Sequence, residues 1–204
     1  MVQNYSKVIG DNTRRACRLG AASFCFLTCE TLLAEPAKST AIPRYSFNAK
    51  QGDFTIQGGL SMSNYTAVQG TIIGYRSKLS YYSDNQFGFF IGNDLPFTAG
   101  TIDIADVSYN VKLIPSKFGI FGAIPMSRRM SISVEGAAGS VLVLGSGVPT
   151  ASVPLLEAGV AVSYDSGVLR FFTEVNASQC KGTVQDNAVD LGRKTFVIGM
   201  GIKL

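Results

Sequence analysis

The sequence predicts an all-β protein, a closed antiparallel up-and-down transmembrane β-barrel. Three observations predict this fold. Apolar and polar residues alternate with a period of two in many short segments; 46% of the residues are hydrophobic but only 16% are charged; and no window approaches the roughly 18 consecutive apolar residues of a membrane-spanning helix. Membrane strands produce this combination because each places only half of its side chains in lipid.

The first 41 residues differ from the rest of the chain. They contain an apolar run with the length of a signal-peptide hydrophobic region, from Leu19 to Cys29, preceded by Arg14, Arg15 and Arg18. We interpret residues 1–34 as a signal peptide cleaved after Ala34, with Ala41 as the alternative cleavage point. A leader that is not an export signal is the competing interpretation. Residues 35–43 are then a linker, and residues 44–204 a single barrel domain.

The first predicted strands follow this linker. The first has Phe54, Ile56, Leu60 and Met62 on its apolar face. The second is a long strand around Thr71, Ile73 and Tyr75, and the third contains Phe87, Phe89 and Ile91. We predict a loop from Asn93 to Gly100 because this segment contains Pro96.

The middle of the chain contains the cleanest alternation. There Val107, Tyr109, Val111 and Leu113 oppose Asp106, Ser108, Asn110 and Lys112. We predict a break at Pro115-Ser116, a new strand with Phe118, Ile120 and Ile124 on its apolar face, and a further strand from Ile132 to Leu142. Residues from Gly145 to Ser152 are predicted to form a loop.

A hairpin from Leu155 to Val175 separates apolar from charged residues most clearly. One face carries Leu156, Val160, Val162, Tyr164, Leu169, Phe171 and Val175, and the other carries Glu157, Arg170 and Glu174. In a soluble sheet the apolar face would be the core. In a membrane barrel it would face lipid and the charges would face a closed lumen. The low overall charge and the predicted signal peptide favour the membrane arrangement.

The end of the chain is predicted to contain a long loop and a last strand. The loop runs from Asn176 to Asp190, and we expect Cys180, Lys181 and Asp186 to be exposed there. The last strand places Phe196, Ile198, Met200, Ile202 and Leu204 on one face. The chain therefore ends on a strand.

The alternating pattern does not by itself determine the number of strands. The segments from Phe54 to Leu204 number nine, whereas a bacterial barrel needs an even number. Adding a strand at Tyr45–Lys50 gives ten, and merging a pair between Tyr65 and Ile91 gives eight. We predict eight strands, with ten as the alternative. A lumen of eight strands is filled by side chains, so a wide pore is not expected.

These features together resemble the small bacterial outer-membrane β-barrels of the OmpA/OmpX type. The resemblance is architectural and carries no catalytic motif. In that family the final residue is usually aromatic and forms part of the assembly signal, whereas here it is Leu204. The resemblance implies a location in the bacterial outer membrane, contact with outer-membrane lipid, and recognition of the C-terminal strand by the barrel-assembly machinery.

The chain contains no histidine. The lipid A enzymes and omptin proteases of outer membranes rely on an essential histidine, so these activities are disfavoured, as are most zinc sites. We predict no enzymatic activity and no cofactor. An enzyme that uses carboxylates alone would need two glutamates to converge in an open cleft. No basic stripe interleaved with aromatic residues is present, so nucleic-acid binding is not expected.

The charged residues of the predicted strands form the candidate site. Buried charges must be paired, and a Lys or Arg facing the middle of the lipid layer would cost roughly 2–4 kcal/mol. We therefore predict an ion network in the lumen that consists of Glu135, Glu157, Arg170, Glu174, Arg193 and Lys203. We predict that the protein has a structural or surface-interaction role in the outer membrane, in which its loops contact a host or envelope ligand. The alternative is a soluble secreted barrel that binds a small apolar ligand in its interior.

Overall fold

A computed structural model describes residues 52–84 and 86–204. The predicted signal peptide, the linker and the additional strand at Tyr45–Lys50 lie outside the described residues. No helix in the described ranges is long and apolar enough to cross a membrane.

Twelve strands make up the described chain. In order they are β1 (Phe54–Tyr65), β2 (Val68–Gln69), β3 (Thr71–Tyr82), β4 (Phe87–Pro96), β5 (Gly100–Ile104), β6 (Val107–Pro125), β7 (Met130–Gly145), β8 (Val148–Ser166), β9 (Leu169–Gln179), β10 (Lys181–Val184), β11 (Asn187–Asp190) and β12 (Arg193–Lys203).

Eight of these strands close into a barrel. Strands β1, β3, β4, β6, β7, β8, β9 and β12 pair antiparallel with their neighbours in chain order, and β12 pairs back with β1. Two short strands extend this sheet, because β5 pairs with β6 and β2 pairs with β5. Strands β10 and β11 form a separate hairpin. The predicted closed, up-and-down, eight-stranded barrel is confirmed.

The strand count of eight arises at a different place from the one predicted. The sequence prediction merged a pair between Tyr65 and Ile91, but β1, β3 and β4 are separate strands. The predicted break at Pro115-Ser116 is wrong, because β6 runs through it without interruption. Pro115 pairs with Val141 on β7, while the ladder to β4 extends only as far as Ser116, the residue after Pro115. Proline has no N–H to donate, so it ends pairing on one side of β6 only.

Because β6 is continuous, some of its residues lie on the opposite face from the one predicted. Val111 and Leu113 were predicted to lie on an outward apolar face, but both are buried inside the barrel, while Lys112 is exposed. Alternate residues of one uninterrupted strand share a face, so Val111 and Leu113 lie on the same side as Lys117. The outward positions of Phe118 and Ile120 agree with the prediction.

Three predicted loops are shorter than expected. Strand β4 continues to Pro96. Proline can end a strand because it has no N–H group to donate to a further ladder hydrogen bond. Strands β7 and β8 are joined by only two residues, of which Gly147 has a φ of +80°, a left-handed conformation that glycine adopts without strain. The region from Asn176 to Asp190 holds the end of β9 and the hairpin of β10 and β11.

The two ends of the barrel differ. At one end, called here the turn end, barrel strands are joined by residues 83–86, 126–129 and 167–168, and β1 begins and β12 ends. At the other, called the loop end, three of the four connections contain the short strands β2, β5, β10 and β11, and the fourth is the two-residue connection between β7 and β8. Strands β6, β7 and β8, of 19, 16 and 19 residues, extend furthest at the loop end.

The interior of the barrel contains both apolar and charged residues, whereas its outward faces are rich in large apolar residues. At the loop end the interior is an apolar core that includes Tyr65, Ile72, Ile102, Val111, Leu113, Val141, Val143, Val153, Leu155, Cys180, Val184 and Leu191. A smaller cluster contains Tyr82, Phe90, Phe121 and Ala123. Exposed large apolar residues occur on the outward face of every barrel strand. Each barrel strand therefore presents large apolar side chains outward, while the interior combines this apolar core with the polar residues that occupy much of the lumen.

Glycine allows close packing at one point of the wall. A Cβ atom at Gly199 would lie 2.3 Å from the carbonyl oxygen of Gly58 and 2.8 Å from the ring of Phe172, whereas one at Gly136 would meet nothing within 4 Å. We therefore expect Gly199→Ala to lower the free energy of unfolding by about 1–3 kcal/mol through overpacking. Gly136→Ala is the matched control and should cost nothing. Denaturant unfolding followed by circular dichroism measures both, and equal stabilities would contradict the packing described.

Candidate functional site: the charged lumen

Eleven charged side chains line the lumen. Six are basic and five acidic, and they come from every barrel strand except β1: Arg76, Lys78, Asp94, Lys117, Glu135, Glu157, Asp165, Arg170, Glu174, Arg193 and Lys203. All are buried except Lys203, which is partly exposed. They point inward because each occupies an inward position of the period-two pattern.

Arg76 lies at the centre of the larger group. Its Nε and Nη2 atoms donate to the two carboxylate oxygens of Asp94 at 2.6 and 2.7 Å, which is a bidentate pair. Its Nη1 donates to Glu174. The second oxygen of Asp94 also lies 2.6 Å from the Nη1 atom of Arg193. Asp94 thus joins two guanidinium groups from β3 and β12.

Two further carboxylates extend this group around the barrel. Glu157 forms an ion pair with Lys117, accepts a hydrogen bond from Arg193 at 2.7 Å, and lies 3.8 Å from Arg76. Glu135 accepts from Lys78, whose Nζ also lies 3.4 Å from Glu174. The central cluster is defined as four bases and four acids: Arg76, Lys78, Lys117, Arg193, Asp94, Glu135, Glu157 and Glu174.

A second group lies at the turn end. Arg170 donates to both oxygens of Asp165, at 2.8 and 3.1 Å, and to the hydroxyl of Tyr82. Lys203 lies 3.3 Å from the same carboxylate. Between the two groups is a cavity of about 20 Å³, lined by Gln57, Ser80, Ser131, Ser133 and Ser163 among others. It has room for about one water molecule.

The structure places all six predicted lumen residues inside the barrel. Glu135, Glu157, Glu174 and Arg193 belong to the central cluster, and Arg170 and Lys203 to the turn-end group. The three glutamates are buried and ion-paired and do not converge in an open cleft. The arrangement of these three glutamates with their cationic partners neutralises charge and fills space in the described lumen.

Sequence reasoning missed five members of the lumen network. Arg76 and Lys78 alternate with exposed Tyr75 and Leu79, so period two could have placed them inward, as it could Lys117 opposite Phe118. Asp94 is absent from the prediction because it falls in the segment from Asn93 to Gly100, which is predicted to be a loop. The fifth is Asp165, which lies on β8 next to the two-residue turn to β9, where a sequence pattern does not distinguish a strand residue from a turn residue.

The predicted exposure of Cys180 is wrong. Lys181 and Asp186 are exposed, but Cys180 is fully buried in the apolar core at the loop end, and its Sγ lies 3.9 Å from the carbonyl oxygen of Val153. The reason is that β10 and β11 form a hairpin whose base, at Cys180 and Leu191, packs into the mouth of the barrel.

Burial raises the pKa of the Cys180 thiol to about 11. We therefore expect Cys180 to react with a maleimide at pH 8 at least roughly a hundredfold more slowly in the folded protein than in the unfolded chain, since about two units of pKa lower the thiolate fraction that much. Because the neutral thiol is favoured in the fold, its contribution to stability is present below about pH 9 and is lost as pH rises towards 11. Mass spectrometry of labelled protein measures this rate, and rapid labelling of folded protein would contradict the burial.

The positions of charged and apolar residues are the reverse of those in a soluble barrel. Glu157 and Arg170 are 6% and 3% exposed, whereas Val160, Phe171 and Ile198 are 48%, 43% and 56% exposed. A soluble barrel would bury the second set and expose the first. The soluble alternative therefore does not fit the structure.

Comparison with known proteins gives similarity at the level of fold. No protein-family model matches the chain, and no curated protein matches it. Among solved structures, it is similar to the outer membrane protein OprG of Pseudomonas aeruginosa, with 11% sequence identity, a TM-score of 0.59, and coverage of 76% of this chain and 97% of that one. It is also similar to Neisserial surface protein A, with 12% identity, a TM-score of 0.51, and coverage of 76% and 99%. The chain thus has the fold of small outer-membrane eight-stranded barrels.

Proposed function

We propose that the chain is an integral protein of the bacterial outer membrane with a structural or surface-interaction role, that it has no wide pore, and that it acts without enzymatic activity or cofactor. The observation that carries this proposal is the inverted distribution of side chains. Large apolar residues on all eight barrel strands face outward, while eleven charged residues lie in the lumen. Lipid accommodates such a surface, whereas soluble proteins rarely expose apolar patches beyond a few hundred Å².

The closure of the barrel supports the same location. The pairing of β12 with β1 leaves the barrel without a free edge around its circumference, and in lipid each unsatisfied backbone group would be costly. In bacterial outer-membrane barrels the short turns lie in the periplasm and the longer loops outside the cell. By this rule the turn end faces the periplasm and the loop end faces outward.

Two layers fill the lumen. The apolar core at the loop end contains fully buried Ile102, Val141 and Val143, and the central cluster lies on the turn-end side of this core. Both layers consist of buried side chains, as expected for the narrow lumen of eight strands, which supports a structural role over diffusion of solutes. We expect planar-bilayer recordings to show no large, steady conductance.

The loop end supplies the surface for interaction. The hairpin of β10 and β11 presents Lys181 and Asp186 to solvent, and these are candidates for contact with a host or envelope molecule. The C-terminal strand is the candidate contact with the assembly machinery during insertion. Its outward residues Ile198, Met200 and Ile202 alternate with inward ones up to the end of the strand.

Fractionation with and without detergent, combined with gel mobility before and after boiling, tests this proposal. We expect the protein in the membrane fraction, soluble only with detergent, and with a mobility that changes on boiling, because a closed barrel resists unfolding in cold detergent. Recovery in the soluble fraction with no change of mobility would overturn the proposal.

A further inference from the structure

Arg128 and Arg129 stand apart from the other basic residues of the described chain. Seven basic side chains there form ion pairs: Arg76, Lys78, Lys117, Arg170, Lys181, Arg193 and Lys203. The remaining four, Lys112, Arg128, Arg129 and Lys194, have no carboxylate of the described residues within ion-pair distance. Lys112 on β6 and Lys194 on β12 are on opposite sides of the barrel, with three strands between them in either direction. Only Arg128 and Arg129 form an adjacent pair.

The backbone that carries this pair is fixed by local hydrogen bonds. The Met126 N–H donates to the Met130 carbonyl at 2.9 Å, and the Ser127 hydroxyl accepts from the N–H groups of Arg129 and Met130 at 3.3 and 3.1 Å. The Arg129 carbonyl accepts from the Asp165 N–H at 2.7 Å, which ties the connection to β8. The two arginines are therefore held at a defined place on the turn end.

That place is the border of the apolar outer face. Ile124, Met126 and Met130 beside the pair are 61%, 60% and 43% exposed. The Arg129 guanidinium donates to the hydroxyl of Tyr164 at 3.2 Å, and tyrosine is enriched where a membrane meets water. Both arginines are exposed. In a membrane they would lie at the level of the lipid headgroups.

We propose that Arg128 and Arg129 bind the phosphate of an anionic phospholipid headgroup in the leaflet at the turn end. This inference rests on the proposed membrane location. Guanidinium groups bind phosphate oxygens through paired N–H donors, and two adjacent cations with no carboxylate partner complement one anionic headgroup. Neither of the other described connections at this end, 83–86 and 167–168, contains a described basic residue.

Lipid binding to the full chain in detergent tests the inference. The probes are phosphatidylglycerol and phosphatidylcholine with identical acyl chains, and bound lipids are counted by native mass spectrometry. Each basic residue at an anionic surface contributes roughly fivefold in affinity. We therefore expect the first phosphatidylglycerol to bind roughly fivefold to 25-fold more tightly than phosphatidylcholine. The variant R128Q/R129Q should lose this preference, because it removes both charges from an exposed turn.

The matched control is K112Q/K194Q, which also removes two unpaired, exposed charges but at separate sites. It should keep the preference for phosphatidylglycerol. Equal loss in both variants would show a general charge effect and overturn the inference, and so would an unchanged preference in R128Q/R129Q. Gel mobility before and after boiling is measured on every sample. A wild-type chain that is soluble without detergent overturns the proposed function and this inference together, whereas an inserted chain with no lipid preference overturns the inference alone.

Discussion

Glu157→Gln is expected to lower the free energy of unfolding by about 3–5 kcal/mol, because it leaves buried cations without their compensating charge. Glu157 faces Lys117, Arg193 and Arg76, all of which are buried. The substitution preserves the shape of the side chain but changes a cluster of four bases and four acids into one with an excess positive charge. The chain has no tryptophan, so unfolding in urea is best followed by circular dichroism of the protein in lipid vesicles.

Two further variants isolate the cause of this loss. Lys181→Gln also breaks an ion pair, with Asp190 at 3.8 Å, but the lysine side chain is 76% exposed, so a change below about 1 kcal/mol is expected. The double variant Glu157→Gln/Lys117→Met restores equal numbers of bases and acids in the cluster and should recover part of the lost stability. A cost for Glu157→Gln no larger than that for Lys181→Gln would contradict a buried, coupled network.

The period-two pattern predicts the walls of this barrel well where only one face is apolar. Val160 and Phe171 face outward and Glu157 and Arg170 inward, as the sequence predicts, because lipid and lumen require opposite chemistry on the two faces. The pattern fails at Val111 and Leu113, where the apolar residues belong to the interior. At the loop end the interior of the barrel is itself apolar, so polarity alone does not identify the inward face of a strand there. Only the continuity of β6 through Pro115 determines it.

The composition of the ion network was harder to predict than its existence. Asp94 and Arg193 lie 2.6 Å apart but are far apart in sequence, and their contact depends on the register of four strands, β12, β1, β3 and β4. A shift of one residue in any of these pairings would move a side chain to the opposite face. The burial of Cys180 has a similar origin, since it follows from the packing of the hairpin of β10 and β11 against β8 and not from any local property of its segment.

Ile198→Lys is expected to lower the free energy of unfolding by about 2–4 kcal/mol in lipid vesicles, because it places a charge on the lipid-facing side near the middle of β12. Ile198 is 56% exposed and lies opposite Leu60 on β1 and Thr173 on β9. The matched control is Ala188→Lys, at the exposed position of β11, where water surrounds the new charge and a change within about 0.5 kcal/mol is expected. If the barrel were soluble, both lysines would meet water and both changes would be small. A large cost at residue 198 with none at residue 188 therefore identifies the medium around the barrel as lipid, while equal costs would contradict the membrane location.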